Sequence, residues 1–235
     1  MELIANKYVI VVAAGSGTRF GASLPKQFCD LDGRPVLMWT IDRLRRGIGD
    51  CRMILVLSES GRDIWHEMCI DCGFESPEIV IGGSTRWESV KNALNTIGPL
   101  GHDDMVLVHD GARPLVSAQV IGRLLEAMEY SESALPCIRP VDSFRLLDDN
   151  GGSRPLDRSR LLAVQTPQAF RGDALQKAYA TDYSPLFTDD ASVMAAAGFP
   201  DPVIVDGDPR CIKITLPADI GLASLYLRDE RSADA

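Results

Sequence analysis

No run of about eighteen apolar residues occurs in the 235-residue chain, so no segment is expected to cross a membrane as a helix. A basic excess is lacking too: 24 Lys and Arg stand against 33 Asp and Glu, a formal net charge of −9, which excludes a general nucleic-acid or anionic-membrane surface. Any anionic ligand must therefore be held by local basic residues. No secretory signal precedes the six cysteines (Cys29, Cys51, Cys69, Cys72, Cys137 and Cys211), and they fall at apolar or element-edge positions. This pattern points to reduced thiols in the cytoplasm, not to a disulfide framework. Cys69-Ile-Asp-Cys72 has redox or zinc spacing, but with no second pair and only His66 nearby it makes no site. Repeats, low-complexity tracts and an interdomain linker are also absent. At 46% hydrophobic, the length suits one α/β domain over 1–235.

What the chain does have is a distinctive stretch near its start, from Tyr8 to Gln27. Val9 to Ala13 is an apolar, β-branched run that reads as a buried parallel strand, and it opens into a loop holding Gly15, Gly17 and Gly21. Glycines let backbone N–H groups approach phosphate oxygens, and Arg19 and Lys26 add full positive charges, so the loop reads as a polyphosphate site. It is neither of two common phosphate loops. A dinucleotide fingerprint would need glycine at Phe20, and a P-loop would need Lys followed by Ser or Thr, whereas Gln27 follows Lys26.

Downstream, strands and helices alternate. Helices are expected at Val36 to Arg46 and Ile64 to Cys72, and strands at Met53 to Leu57 and Pro77 to Ile81. This alternation predicts a mostly parallel sheet with helices on both faces and ligands beyond the carboxyl ends of the strands. One such end is Gly82-Gly83, where Ser84 or Thr85 can cap the next helix and Arg86 and Ser89 share a helical face. A second is Met105 to Leu115, where a buried strand delivers His109, Asp110 and Arg113 together. His109 suits a packed, hydrogen-bonded residue better than a base. Asp110 can accept substrate hydroxyls or lie near a metal, and Arg113 can pair with Asp110 or with phosphate.

Helix is expected at Ala118 to Tyr130 and strand at Ala134 to Ile138. Residues 139–162 then break the pattern: the segment resembles a projecting β-hairpin arm with Asn150-Gly151 or Gly151-Gly152 at its tip, and an arm with so little core suggests a homodimer. Gln165 to Phe170 returns the chain to the body, and Gly172 to Ala180 reads as a helix. Thr188 reads as the N-cap of a further helix, Val203 to Val205 and Ile212 to Ile214 as short strands with Lys213 in the second, and Pro217 to Arg228 as a closing helix before a frayed tail.

Taken together, Ala13-Ala-Gly-Ser-Gly-Thr-Arg19, Pro25-Lys-Gln27, Gly82-Gly83 with Arg86 and Ser89, His109-Asp-Gly-Ala-Arg-Pro114, Gln165-Thr-Pro-Gln168, Thr188-Asp189 and Ile212-Lys-Ile-Thr215 carry a resemblance. From about Tyr8 to Leu227 the chain resembles the bacterial 2-C-methyl-D-erythritol 4-phosphate cytidylyltransferases of the non-mevalonate isoprenoid pathway. The resemblance implies a Rossmann-like, three-layer α/β/α nucleotidyltransferase fold. It also implies joining of CTP to a polyol phosphate with release of pyrophosphate, and Mg²⁺ held mainly by the CTP phosphates with no protein ligand assigned. Position by position, it places Ala14, Gly83, Ser84 and Ser89 at the cytosine, and Gly15, Ser16, Gly17, Arg19 and Lys26 at the triphosphate. Asp110, Arg113, Ser143, Arg158, Thr188 and Lys213 fall at the acceptor, with Ser143 and Arg158 reaching in from the other subunit's arm. Arg19, Lys26 and Lys213 are the implied catalytic charges.

Cys211, Ser84 and Trp87 depart from the family pattern, which usually has Asn, often an acidic residue, and a smaller side chain at these positions. Such proteins are sometimes fused to a cyclodiphosphate synthase, but only a short tail follows Leu227, so the transferase alone is expected. Two other readings share the motifs: a ribitol 5-phosphate cytidylyltransferase, in which a bulkier residue is expected at Ala112, and a nucleotide-binding regulator without catalysis.

Overall fold

The computed structural model describes residues 4–15 and 24–233. The first strand, β1 (Lys7–Val12), is followed by a single 3-10 turn at Lys26–Phe28, a small antiparallel pair, β2 (Asp30–Leu31) and β3 (Arg34–Pro35), and helix α1 (Val36–Ile48). Next come β4 (Arg52–Leu57), α2 (Glu59–Cys72), β5 (Glu78–Ile81), α3 (Arg86–Ile97), β6 (Met105–Asp110), α4 (Ala118–Ala127) and β7 (Ser133–Ile138). The arm carries β8 (Arg145–Leu147) and β9 (Ser153–Pro155). The chain then returns through β10 (Ala163–Val164) and β11 (Gln168–Arg171) to α5 (Gly172–Ala178), α6 (Asp190–Ala196), β12 (Val203–Asp206) and α7 (Pro217–Ala233).

Eight strands form one sheet in the order β10-β7-β11-β6-β1-β4-β5, with β12 paired to β7. Strands β5, β4, β1 and β6 are mutually parallel, and β11 is inserted antiparallel between β6 and β7. The side chains of β1 show why two helical layers are needed. Val9 and Val11 point into a core shared with Leu37, Ile41, Trp65 and Leu124 of α1, α2 and α4, while Ile10 points to Val90, Leu94, Leu175 and Val193 of α3, α5 and α6. Fully buried strands covered on both faces are the expected α/β/α outcome of a continuous apolar run.

Strand order reverses between β1 and β6, since β4 and β5 follow β1 on one side and β6 lies on the other. A crevice opens at such a switch point, beyond the strand ends. Gly111 makes the close approach there possible: a Cβ on it would stand 2.8 Å from Ala13 Cβ and 3.1 Å from Leu37 Cδ1.

Several expectations need correction. Asp189, not Thr188, caps α6: its side chain accepts from Ser192 N, and Ser192 Oγ returns the bond, forming a capping box. Of the two cap candidates for α3, Thr85 serves, in a capping box with Glu88. Helix α2 starts earlier than periodicity suggested, with Ser58 accepting from Gly61 N, and α4 stops at Ala127. Ile212–Ile214 is not a strand; Lys213 sits on an irregular segment held by Ile214 N donating to Ala112 O. Residues 229–233 continue α7 instead of fraying, because Arg231 and Arg228 reach Asp32 and Arg43 pairs with Glu230. The hairpin arm is present as expected.

Candidate active site

At the switch point a cavity of about 420 Å³ is lined by Val12 to Gly15, Lys26, Gln27, Gly83 to Arg86, Ser89, Asp110, Ala112 and Lys213. A second, of about 280 Å³, is lined by Arg113, Gln165, Thr166, Gln168, Thr188 and Asp189, and shares Arg86, Asp110 and Lys213 with the first. The shared trio thus forms the partition between two compartments, one at Gly15 and Lys26 and one at Gln165 to Gln168, where the chain returns from the arm.

Local physics fixes each wall. The amide of buried Gln27 donates to Ala13 O at 2.8 Å and Gly15 O at 3.2 Å, pinning the 3-10 turn that carries Lys26 against the end of β1. On the opposite wall, Glu88 Oε2 accepts from the Ser84 amide (2.6 Å) and the Thr85 amide (3.2 Å), while Thr85 Oγ1 accepts from Glu88 N at 3.0 Å. Ser89 Oγ donates to Thr85 O at 2.9 Å and accepts from Gly83 N at 3.2 Å. The Ser84 hydroxyl also bonds to Glu88, so the side chains of Ser84 and Ser89 hold the wall's shape and their hydrogens are already committed.

Asp110, at the end of β6, is ringed by cations: Lys213 Nζ lies 2.8 Å from Oδ2, Arg113 Nε 3.5 Å from Oδ2 and Arg86 Nε 3.6 Å from Oδ1. Burial alone would raise its pKa, but Arg86, Lys213 and Arg113 outweigh burial and hold the carboxyl well below the usual carboxylate range. Its backbone N–H donates to Thr166 Oγ1 at 3.1 Å. Arg113 also donates to Cys211 O at 2.8 Å, and the Cys211 thiol, pushed up to about 12 chiefly by burial, bonds to Thr166 O. Cys211 is therefore a packing residue.

His109 is fully buried, with Nε2 on Arg113 O and Nδ1 on Thr166 Oγ1, both at 3.1 Å, and burial lowers its pKa to about 4. Both ring nitrogens are spent inside the protein, so it braces the strand end and touches neither cavity.

The structure thus brings together Ala14, Gly15, Lys26, Gly83, Ser84, Ser89, Asp110 and Lys213 around the first cavity, and Arg113 and Thr188 with the shared trio around the second. Ser143 and Arg158 lie exposed on the arm and line neither. Ser16, Gly17 and Arg19 lie outside the described residues. Sequence reasoning missed Asp190 and Tyr179. Arg86 donates to Asp190 through Nη1 (3.0 Å) and Nη2 (2.7 Å), and the Tyr179 hydroxyl donates to the same carboxylate at 2.6 Å. The partners are 104 residues apart, a separation that leaves no local signal.

The family model described as 2-C-methyl-D-erythritol 4-phosphate cytidylyltransferase matches residues 7–229. A protein of that name from Bacteroides fragilis is 41% identical over 93% of this chain and 98% of its own length. The crystal structure of the Francisella tularensis enzyme of that name superposes with a TM-score of 0.76 at 31% identity, covering 94% of this chain and 99% of the other. The 4-diphosphocytidyl-2C-methyl-D-erythritol synthase of Anaerococcus prevotii gives the same TM-score at 27% identity over 95% and 98%. By motif order, sheet topology and near-complete coverage, the chain belongs to the 2-C-methyl-D-erythritol 4-phosphate cytidylyltransferase family.

Proposed function

We propose that the chain transfers the cytidylyl group of CTP to 2-C-methyl-D-erythritol 4-phosphate, giving 4-diphosphocytidyl-2-C-methyl-D-erythritol and pyrophosphate. The observation that carries this reading is the partition: Asp110, Lys213 and Arg86 face both cavities, so a triphosphate on one side and an acceptor on the other meet at one set of charges. CTP occupies the first cavity, with cytosine towards Ala14, Gly83 and Ser89 and triphosphate towards Gly15 and Lys26. The acceptor occupies the second, with its hydroxyls at Asp110 and its phosphate near Arg113, Thr188 and Lys213.

A phosphate oxygen of the acceptor attacks the α-phosphorus in line, a new P–O bond forms, and the bond to the β-phosphate breaks to release pyrophosphate. No protein nucleophile is needed; orientation and charge stabilisation suffice. Lys26 and Lys213 offset charge on the crowded phosphoryl group from two sides. The donor set fits a metal that arrives on the triphosphate, because the carboxylate lining the first cavity, Asp110, is already neutralised by three cations. Mg²⁺ supplies further neutralisation of the phosphates when bound.

The reading extends to a homodimer in the cytoplasm. The arm buries almost nothing against its own body: Val141 is 83% and Leu147 76% exposed, and among the described residues β8 and β9 pair only with each other. A second copy would cover this apolar surface and bring Arg158 and Ser143 to the neighbouring acceptor cavity. All six cysteines stand as free thiols, which suits a reducing compartment.

Pyrophosphate release is the test. It should be rapid with CTP plus 2-C-methyl-D-erythritol 4-phosphate, much slower with ribitol 5-phosphate, and near background with ATP, since the narrow Gly82-Gly83 wall favours a pyrimidine. Equal turnover of ribitol 5-phosphate would transfer the assignment to that acceptor, and no turnover with either would leave a nucleotide binder.

A further inference from the structure

The partition between the cavities is held from behind by Asp190 and Tyr179, which line neither. Asp190, fully buried in the first turn of α6, takes both terminal nitrogens of Arg86, leaving the Nε edge turned to Asp110 at 3.6 Å. A planar guanidinium gripped at two points cannot rotate about its axis. Tyr179 caps the same carboxylate, and its ring stacks on Trp87, the residue after Arg86, with centroids 5.8 Å apart. Asp190 is in turn fixed by its helix end: Gln168 of β11 donates to Asp189 Oδ2 at 2.8 Å and accepts from Ala191 N at 3.1 Å. A continuous path therefore runs from the sheet through α6 to Arg86 and on to the carboxylate between the cavities.

Resting on the cytidylyl-transfer reading above, we propose that Asp190, backed by Tyr179, is a positioning residue that sets the orientation of Arg86 and, through it, of Asp110 towards the acceptor. Apart from the shared trio, the walls of the first cavity are held by the α3 capping box and by Gln27. Loss of the clamp should therefore weaken acceptor handling far more than CTP binding. A clamp that served only to hold α3 against α6 would instead lower the fraction of folded protein and leave each surviving site unchanged.

The test compares wild type with Asp190→Asn, Asp190→Glu and Tyr179→Phe by calorimetric titration with CTP alone and by pyrophosphate release with both substrates, with kcat taken per CTP-binding site. For Asp190→Asn we expect kcat/KM for the acceptor to fall on the order of a hundredfold, as for a reacting group displaced by about an ångström, with CTP Kd changed by less than about threefold. Asp190→Glu should recover part of the loss. Tyr179→Phe keeps the ion pair and should show a fall of about tenfold. If Asp190→Asn binds CTP and keeps acceptor kcat/KM within twofold of wild type, the proposal is overturned. Should Asp190→Asn not fold, Tyr179→Phe decides, and unchanged acceptor constants there overturn it. A wild-type chain that releases no pyrophosphate removes the cytidylyl-transfer reading and this inference together.

Discussion

Lys26 shows how one side chain acquires a role from its neighbours. Gln27 is buried and bonded to two carbonyls, so the turn beneath Lys26 is fixed before any nucleotide arrives. Lys26→Ala should lower kcat by about thirty- to a thousandfold, corresponding to about 2–4 kcal/mol of transition-state stabilisation, with little change in Tm; steady-state kinetics beside a thermal melt checks this. His109 plays the opposite part. Burial lowers its pKa from 6.5 to about 4, so between these values the unfolded chain binds a proton that the folded chain rejects. The stability contributed by neutral His109 is complete above about pH 6.5 and is lost as pH falls through about 4, by up to about 3 kcal/mol. Urea midpoints at pH 7, 5.5 and 4.5 should fall steadily, and His109→Gln should flatten that part of the slope without removing activity at pH 7. Asp110 titrates well below this window, so the acceptor site keeps its carboxylate throughout.

At the scale of elements, the carboxyl ends of β1, β5 and β6 make the site, and close packing between them decides its width. A Cβ on Gly82 would lie 2.6 Å from Ala14 Cβ and 2.7 Å from Ser89 Oγ, closer than real contacts allow. Gly82→Ala should push the α3 wall away from Ala14 and raise CTP Kd at least tenfold, while the strands beneath, covered on both faces, keep the fold; calorimetry and circular dichroism separate the two effects. Helix α6 shows the same division of labour. Asp189 caps it and Asp190, one residue on, holds Arg86, so two adjacent acids that look equivalent in sequence serve different elements.

For the whole molecule, the arm is the feature that one chain cannot satisfy. Its apolar residues are exposed, and Arg158, which the family pattern places at the acceptor, lies in neither cavity of its own chain. If it serves the opposite subunit, Arg158→Ala and Lys26→Ala homodimers should each keep only a small fraction of the wild-type rate. A mixed dimer would carry both lesions in one site and none in the other. Subunit exchange should then restore up to about half the wild-type rate per heterodimer; no recovery on mixing, with exchange verified by mass, would place Arg158 in its own site. Light scattering at assay concentration should report the dimer.

The sequence by itself determined the layers and the location of the site. Continuous apolar runs and apolar spacing of period 3.6 are local properties, and they predicted the buried strand at Val9 to Ala13, another within Met105 to Leu115, and the helices at Val36 to Arg46 and Ile64 to Cys72 between them. Glycines with Lys26 and Asp110 at strand ends marked the crevice, because a parallel sheet offers ligands that edge and no other. Tertiary structure decided what local pattern cannot carry. The β11 strand is four residues long and takes its place only by pairing with β6 and β7, and the apolar Ile212 and Ile214 find no strand partner and pack against α7 instead. Lys213 consequently reaches Asp110 from an irregular segment, and Arg86 meets Asp190 across 104 residues. These pairs depend on the path of the chain between them, and charge neutralisation in a buried crevice, not any nearby sequence signal, selects the partners.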